Sequence, residues 1–303
     1  MIIGDKKTGD AADKDQFYCG FRRSRPEIAS CKLETPIMTD RVTALPMRLA
    51  KVLRRAADRI DPPAGSAGEM RNILPAAAIG GPHAVTPTAL GCVRFFDGFA
   101  SEYDVGAREG WPITRYVSQE MSALGRTFQA ALVVGVGTGE ELEPLFQNGV
   151  SDVEAIDVSE NMLREARRKY PTVNYHCADF LTFADLHRDV YDLILCCGVF
   201  EYNEDFSTFL GRASRLLSFG GVMLLTFTPF LPAHPLQSSE VSRHPNYPEF
   251  RSHRHRFEDV HSYVQSCGLS IRKCFTFDCH VDAQFQIPNI CFFCVLEKPD
   301  PRL

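Results

Sequence analysis

The sequence predicts an α/β fold, a parallel sheet with helices on both faces. Three observations lead to it. From residue 95 onward, short apolar runs alternate with segments of helical period, as a parallel sheet requires, because each strand needs a crossover helix to reach the next. The first run, 130–134, enters a loop with three glycines, Gly135, Gly137 and Gly139. The next two runs each end on an acid, Asp157 and Asp179. In open α/β sheets ligands collect at the carboxyl ends of strands, so these features predict a site as well as a fold.

The 303 residues suffice for one large domain with an appendage, and a net charge of −5 lacks the basic excess that nucleic acid or an anionic membrane would draw. No apolar run reaches the roughly eighteen residues of a membrane-spanning helix, and the N-terminus lacks the basic flank and apolar stretch of a secretion signal. The expectation is a soluble, cytoplasmic protein without nucleic-acid partners. Eleven cysteines are dispersed, mostly inside apolar runs, which reads as reduced core thiols. Cys291 and Cys294 imitate half a zinc site, but no second pair accompanies them, and a strand would turn them to opposite faces. No metal is expected.

Residues 1–90 read as a mostly irregular extension, polar at 5–14 and rich in Pro, Gly and Ala at 61–87. Within it, Val42, Leu45, Leu49, Val52, Leu53, Ala56 and Ile60 share the face of one amphipathic helix near 40–60. Its basic face is interrupted by Asp40 and Asp58, so it reads as solvated. The α/β domain takes residues 91–303. Its expected strands are 130–134, 153–156, 173–177, 191–196, 221–227, 269–277 and 290–296, with helices at 140–147, 160–169, 206–217 and 257–267. Gly268 closes the last helix.

The glycine loop lets a ligand approach the main chain beside a helix N-terminus, although a plain strand-to-helix turn has the same residues. Asp157, about twenty residues on, offers two acceptor oxygens to a ribose diol, and Val158 and Met162 offer the adenine an apolar wall. Asp179 is placed to accept from the adenine amino group, with Phe180 on the ring. Each acid alone also suits a helix N-cap; the order of three strand ends is what makes a nucleoside site. Glu140 stands where a dinucleotide fingerprint has its third glycine, and its charge repels a pyrophosphate.

With Val134-Gly135-Val136-Gly137-Thr138-Gly139-Glu140 and Asp157-Val158-Ser159-Glu160-Asn161-Met162-Leu163, the chain resembles the class I S-adenosylmethionine-dependent methyltransferases, particularly the small-molecule group. The likeness spans 95–298. Residues 95–104 are similar to the family's N-terminal helix, whose Tyr-Asp, here Tyr103-Asp104, lies over the methionine end of the cofactor. Residues 191–202, with Gly198, look like the fourth strand and acceptor-facing loop. Residues 217–221 are similar to the Leu-x-Pro-Gly-Gly turn, with Phe219 in place of proline. The resemblance implies a three-layer α/β/α sandwich with a seven-stranded, mostly parallel sheet whose last strand is antiparallel. It also implies S-adenosyl-L-methionine as cofactor and a small organic molecule as methyl acceptor.

Displacement from a sulfonium needs alignment above all, and a base only if the nucleophile arrives protonated. Glu201, Tyr202, His253 and His255 are the candidates, with His234 and His244 further ones in the same insertion. Arg254 and Arg256 suit an acidic acceptor. The fourth strand lacks the Asn/Asp-Pro-Pro-aromatic motif of base methylation and an acid for a magnesium clamp. Glu201 and Glu204 are too close together for the paired-glutamate loop of arginine methylation. Two other readings stand beside this one: a catalytically silent cofactor-binding module or regulatory partner, and a dinucleotide-dependent oxidoreductase, which Glu140 counts against.

Overall fold

The computed structural model describes residues 87–98, 100–104, 111–244, 247–281 and 286–302. The amphipathic helix expected near 40–60 lies outside the described residues.

Among the described residues two helices precede the sheet, α1 (Pro87–Asp97) and α2 (Ile113–Leu124). Then follow β1 (Ala130–Val134), α3 (Leu142–Gln147), β2 (Asp152–Asp157), α4 (Glu160–Lys169), β3 (Asn174–Cys177), α5 (Phe180–Leu186) and β4 (Tyr191–Cys196). A short 3-10 turn (Phe200–Tyr202) leads into α6 (Phe206–Leu216) and β5 (Leu217–Phe227). The chain closes with β6 (Val241–His244), β7 (Tyr247–His253), α7 (Phe257–Ser266), β8 (Ser270–Val281) and β9 (Pro288–Glu297). Helix α1 runs across residue 90, where the extension is expected to end.

The sheet has seven strands in the order β3-β2-β1-β4-β5-β9-β8. Strands β1 to β5 pair in parallel, and β9 runs antiparallel to both neighbours, β5 and β8. The expected three-layer fold with an antiparallel last strand is therefore what forms. The strands carry apolar residues on both faces because both are covered. Val133, Leu195 and Leu224 bury against Val117 and Met121 of α2 and Leu142 of α3. Val134, Ile194 and Leu225 bury against Phe183 of α5, Phe209 of α6 and Val264 of α7. Alternation along each strand thus builds two cores.

Helix starts follow their caps. Ser159 accepts from Met162 N at 3.1 Å and starts α4, whose last turn holds Arg167, Arg168 and Lys169 against the negative helix end. Asp205 accepts from Thr208 N at 2.9 Å and starts α6. Helices α2 and α5 and the antiparallel hairpin β6-β7 are additions to the expected elements.

The hairpin and α1 meet over the carboxyl end of the sheet. Phe95 of α1 stacks on Phe250 of β7 at 4.1 Å. Gly91 makes the contact possible: a Cβ there would stand 2.5 Å from the Glu249 carbonyl oxygen and 2.7 Å from Phe250 N, backbone that cannot swing aside. The other end of α1 docks on α4, where Asp97 Oδ1 accepts from Ser159 Oγ at 2.5 Å and Asn161 N at 3.3 Å.

Candidate active site

Between this cover and the ends of β1, β2 and β4 lies a cavity of about 860 Å³, a size that suits a small-molecule site. One half is built from the glycine loop. Gly135 N and Val136 N both donate to Ile156 O, at 2.8 and 3.0 Å, and tie the loop to β2. Gly137 has φ +54°, and a Cβ built on it meets nothing nearer than Tyr103 Cε1 at 3.9 Å. Any side chain there would project into the cradle.

Asp157, at the end of β2, is 9% exposed. Its Oδ2 accepts from Gly137 N at 2.8 Å and its Oδ1 from Ser159 N at 2.9 Å, so the carboxylate is held rigidly at the loop. A carboxylate has about four acceptor directions, so these bonds leave it able to accept from a ligand as well. Burial pushes its carboxyl up to about 6. Val158 and Met162 line the wall beside it. Asp179 lines the cavity and also caps α5, with both cap bonds, from Leu181 N and Thr182 N, running to Oδ1 rather than Oδ2. Phe180 lines the cavity too, but its ring is packed in the core against Phe209 at 4.2 Å.

Tyr103 reaches the cavity from the described residues 100–104. Its neighbour Asp104 accepts from Thr138 Oγ1 of the glycine loop and pairs with Lys169 Nζ at 2.6 Å. That double tie holds Tyr103 over the loop, where burial raises its phenol well above the ordinary value. Gly198 lines the far side and donates to Thr226 Oγ1 at 2.8 Å. Gly139 is not among the lining residues; it lies behind the loop against Leu142 and Tyr170.

The other half is aromatic and acidic. Glu201 and Tyr202 come from the 3-10 turn after β4, and both line the cavity. The Tyr202 ring lies 5.5 Å from Phe96 and 5.1 Å from Phe250. Glu201 is 9% exposed, its Oε2 has no hydrogen-bond partner among the described residues, and burial pushes its carboxyl up to about 7. A buried acid without a partner is costly in a fold and suits a proton acceptor poised near working pH.

Neither His253 nor His255 lines the cavity. His255 faces away to Phe200 O, 3.3 Å from its Nε2, and packs on Phe206; His253 is buried, with Nε2 unpartnered among the described residues. The reason is strand geometry together with the parallel bridge of Pro229 with His255, which turns the end of the hairpin toward α6. His234 and His244 are likewise absent from the lining. None of the four histidines therefore lines the cavity with Glu201, while His255 buttresses the turn that carries it. Of the expected arginines, Arg254 reaches the cavity and Arg256 does not; Arg256 pairs with Glu240 at 2.8 Å. Among the described residues, the Arg254 side chain keeps one bond, from Nη1 to Ser239 O at 2.9 Å, and its buried Nε has none.

Sequence reasoning missed Glu141, Trp111, Phe250 and Arg251, all in the lining. Glu141 is 8% exposed, hydrogen-bonded to Trp111, and pushed up to about 8 chiefly by burial. Trp111 is the only tryptophan of the chain; it stacks on His280 at 5.5 Å. A lone tryptophan among polar residues was the one available signal.

Residues 132–225 match the sequence profile of the methyltransferase domain family. Among curated proteins none matches the chain. Among solved structures, the chain is similar to the N-methyltransferase NodS from Bradyrhizobium japonicum in complex with S-adenosyl-L-homocysteine. The identity is 15%, over 69% of this chain and 100% of that one, with a TM-score of 0.53. It is also similar to a chain of the complex between the Haloferax volcanii Trm112 methyltransferase activator and a methyltransferase, at 18% identity over 68% of this chain and 98% of that one, TM-score 0.52. At such identities the likeness is one of fold.

Proposed function

We propose that this chain, whose residues 132–225 match the methyltransferase domain family on a seven-stranded α/β sheet, binds S-adenosylmethionine and moves its methyl group to a small organic acceptor by in-line displacement. The nucleophile is an oxygen, nitrogen or carbon. The observation that carries this reading is one cavity lined both by Gly135, Gly137, Asp157 and Asp179 and by Glu201, Tyr202, Phe250 and Arg254. One half has the cradle and acceptors that fit a nucleoside; the other has the groups to hold and deprotonate a second molecule.

When bound, the cofactor supplies an electrophilic methyl group on a sulfonium whose departure needs no proton. The residues of this chain do the rest. The Gly137 cradle would admit the nucleoside to the main chain, Asp157 would accept from the ribose hydroxyls, and Asp179 would accept from the adenine amino group. Tyr103, tied down through Asp104, covers the loop. Around the acceptor, Phe96, Tyr202 and Phe250 exclude water and favour a flat or apolar body. The half-buried Arg254 guanidinium is matched to a carboxylate or phosphate on the same molecule. Glu201 Oε2, unpartnered, takes the proton of the nucleophile, and desolvation keeps that oxygen basic.

The dispersed thiols suit a reducing, cytoplasmic setting. Calorimetry with S-adenosylmethionine, S-adenosylhomocysteine and NADH tests the site. The reading expects heat with the first two and none with the third; binding of NADH alone would sink it.

A further inference from the structure

Cys291 and Cys294 do lie on opposite faces of β9, as the strand period requires: Cys291 belongs to one core and Cys294 to the other. Each meets a cysteine of the neighbouring strand β8. Cys274 and Cys294 are direct partners in the antiparallel register, with sulfurs 2.6 Å apart. Cys279 and Cys291 are diagonal partners next to a bulge, with sulfurs 2.8 Å apart. The second pair lines the cavity. Cys279 is 8% exposed and Cys291 3%.

We propose that Cys279 and Cys291 are a modification site, a cross-strand dithiol in the cavity wall that a small peroxide converts to a reversible disulfide. It stands independently of the methyl-transfer reading. A disulfide needs sulfurs about 2.0 Å apart, so these must close by less than about 1 Å, within side-chain rotation. The packed β8-β9 pairing supplies the approach that two unlinked cysteines seldom have. The oxidant must be small, because the thiols open onto the cavity rather than the outer surface; hydrogen peroxide is of that class.

The more exposed Cys279 is the attacking thiol. Cys279 gives up its proton as its sulfur attacks one peroxide oxygen, the O–O bond breaks, the departing hydroxide takes that proton as the first water, and a sulfenic acid forms. The Cys291 thiol, which burial and its hydrogen bond to Cys279 keep protonated at rest, passes its proton to the sulfenic hydroxyl as its sulfur attacks the Cys279 sulfur. The S–O bond breaks as the S–S bond forms, and the hydroxyl leaves as the second water. Two thiols and one hydrogen peroxide give one disulfide and two waters, with two electrons passing from sulfur to oxygen. An excess of thiol reverses the step, as a reversible bridge in a reducing compartment requires.

The test uses the full chain, reduced and then treated with a few equivalents of hydrogen peroxide. Free thiols are blocked, and the protein is cleaved before Asp278 and Asp282 and after Phe292 and Phe293, which separates the four cysteines. The expected product joins the Cys279 and Cys291 peptides, with the intact mass lower by about 2 Da per bridge formed and restored by dithiothreitol. The Cys274–Cys294 pair serves as the comparison away from the cavity. In Cys291→Ser the joined peptide is lost and Cys279 is recovered as a sulfenic acid trapped by dimedone. Cys279 and Cys291 recovered separately blocked, over-oxidised, or joined to other partners in the unsubstituted protein would overturn the proposal, whether or not the variant folds.

Discussion

Replacing Asp157 with alanine removes the group that binds the two sides of the cofactor half. If its two oxygens accept from both ribose hydroxyls, two charge-assisted bonds are lost, each worth about 1–1.5 kcal/mol net. The sum of about 2–3 kcal/mol corresponds to one to two orders of magnitude in Kd. The same substitution strips Gly137 N and Ser159 N of the acceptors they hold at 2.8 and 2.9 Å. Ser159 is fully buried, so stability should also fall, by about 1–3 kcal/mol. Calorimetric titration with S-adenosylhomocysteine at pH 8, where the unsubstituted carboxyl is ionised because it sits near 6, separates the two effects when run beside a thermal melt. Asp157→Asn, which keeps one acceptor oxygen, should fall between. In the unsubstituted protein, affinity should drop as pH falls through about 6, since protonation removes an acceptor. A folded Asp157→Ala that binds as tightly as the parent would refute the ribose assignment.

Glu201→Gln should lower kcat by about two to four orders of magnitude, erase the rise in rate on raising pH through about 7, and leave S-adenosylhomocysteine affinity unchanged; an intact acid limb would remove Glu201 as the base. Gly91→Ala drives a methyl into the backbone of Glu249 and Phe250 and should cost about 1–3 kcal/mol, with proteolysis near residue 98 accelerated, whereas an unaltered cleavage rate would mean α1 and β7 tolerate separation. Stability should depend on pH in an unusual sense. Asp157, Glu141 and Glu201 have folded values of about 6, 8 and 7, above their ordinary 3.8, 4.5 and 4.5, so the folded protein holds their protons more tightly than the unfolded chain. Their contribution is complete below about pH 4 and is lost as pH rises through 6 to 8, so the urea midpoint should be higher at pH 5.5 than at pH 8, and the opposite order would show that these acids are not buried.

The strands were legible because burial on both faces writes them as unbroken apolar runs; β1 and β4 match residue for residue. Strand β5 begins earlier than expected, at Leu217, because Gly220 and Gly221 sit inside it rather than in a turn. Strand β8 extends to Val281 through Asp278 and His280, polar residues that hid its end. Helix α5 is too short at seven residues to show a period, and its cap is Asp179, the acid read as an adenine ligand, whose two cap bonds both run to Oδ1. The hairpin β6-β7 escaped notice because its residues show no clean alternation of apolar and polar. The acceptor half of the site was least legible for a related reason. Its geometry arises where α1, Trp111 and β7 meet, and such distant contacts leave no spacing in the sequence. The histidines of 252–256 looked catalytic by position, yet one turn of backbone decides whether a side chain enters the cavity or the core.

Methyl transfer to a small molecule is tested by incubating the protein with methyl-labelled S-adenosylmethionine and a metabolite extract, then separating small molecules from macromolecules. Label is expected in the small-molecule fraction, dependent on both Asp157 and Glu201. Label confined to protein or nucleic acid, or equal label with the Glu201→Gln variant, would contradict it.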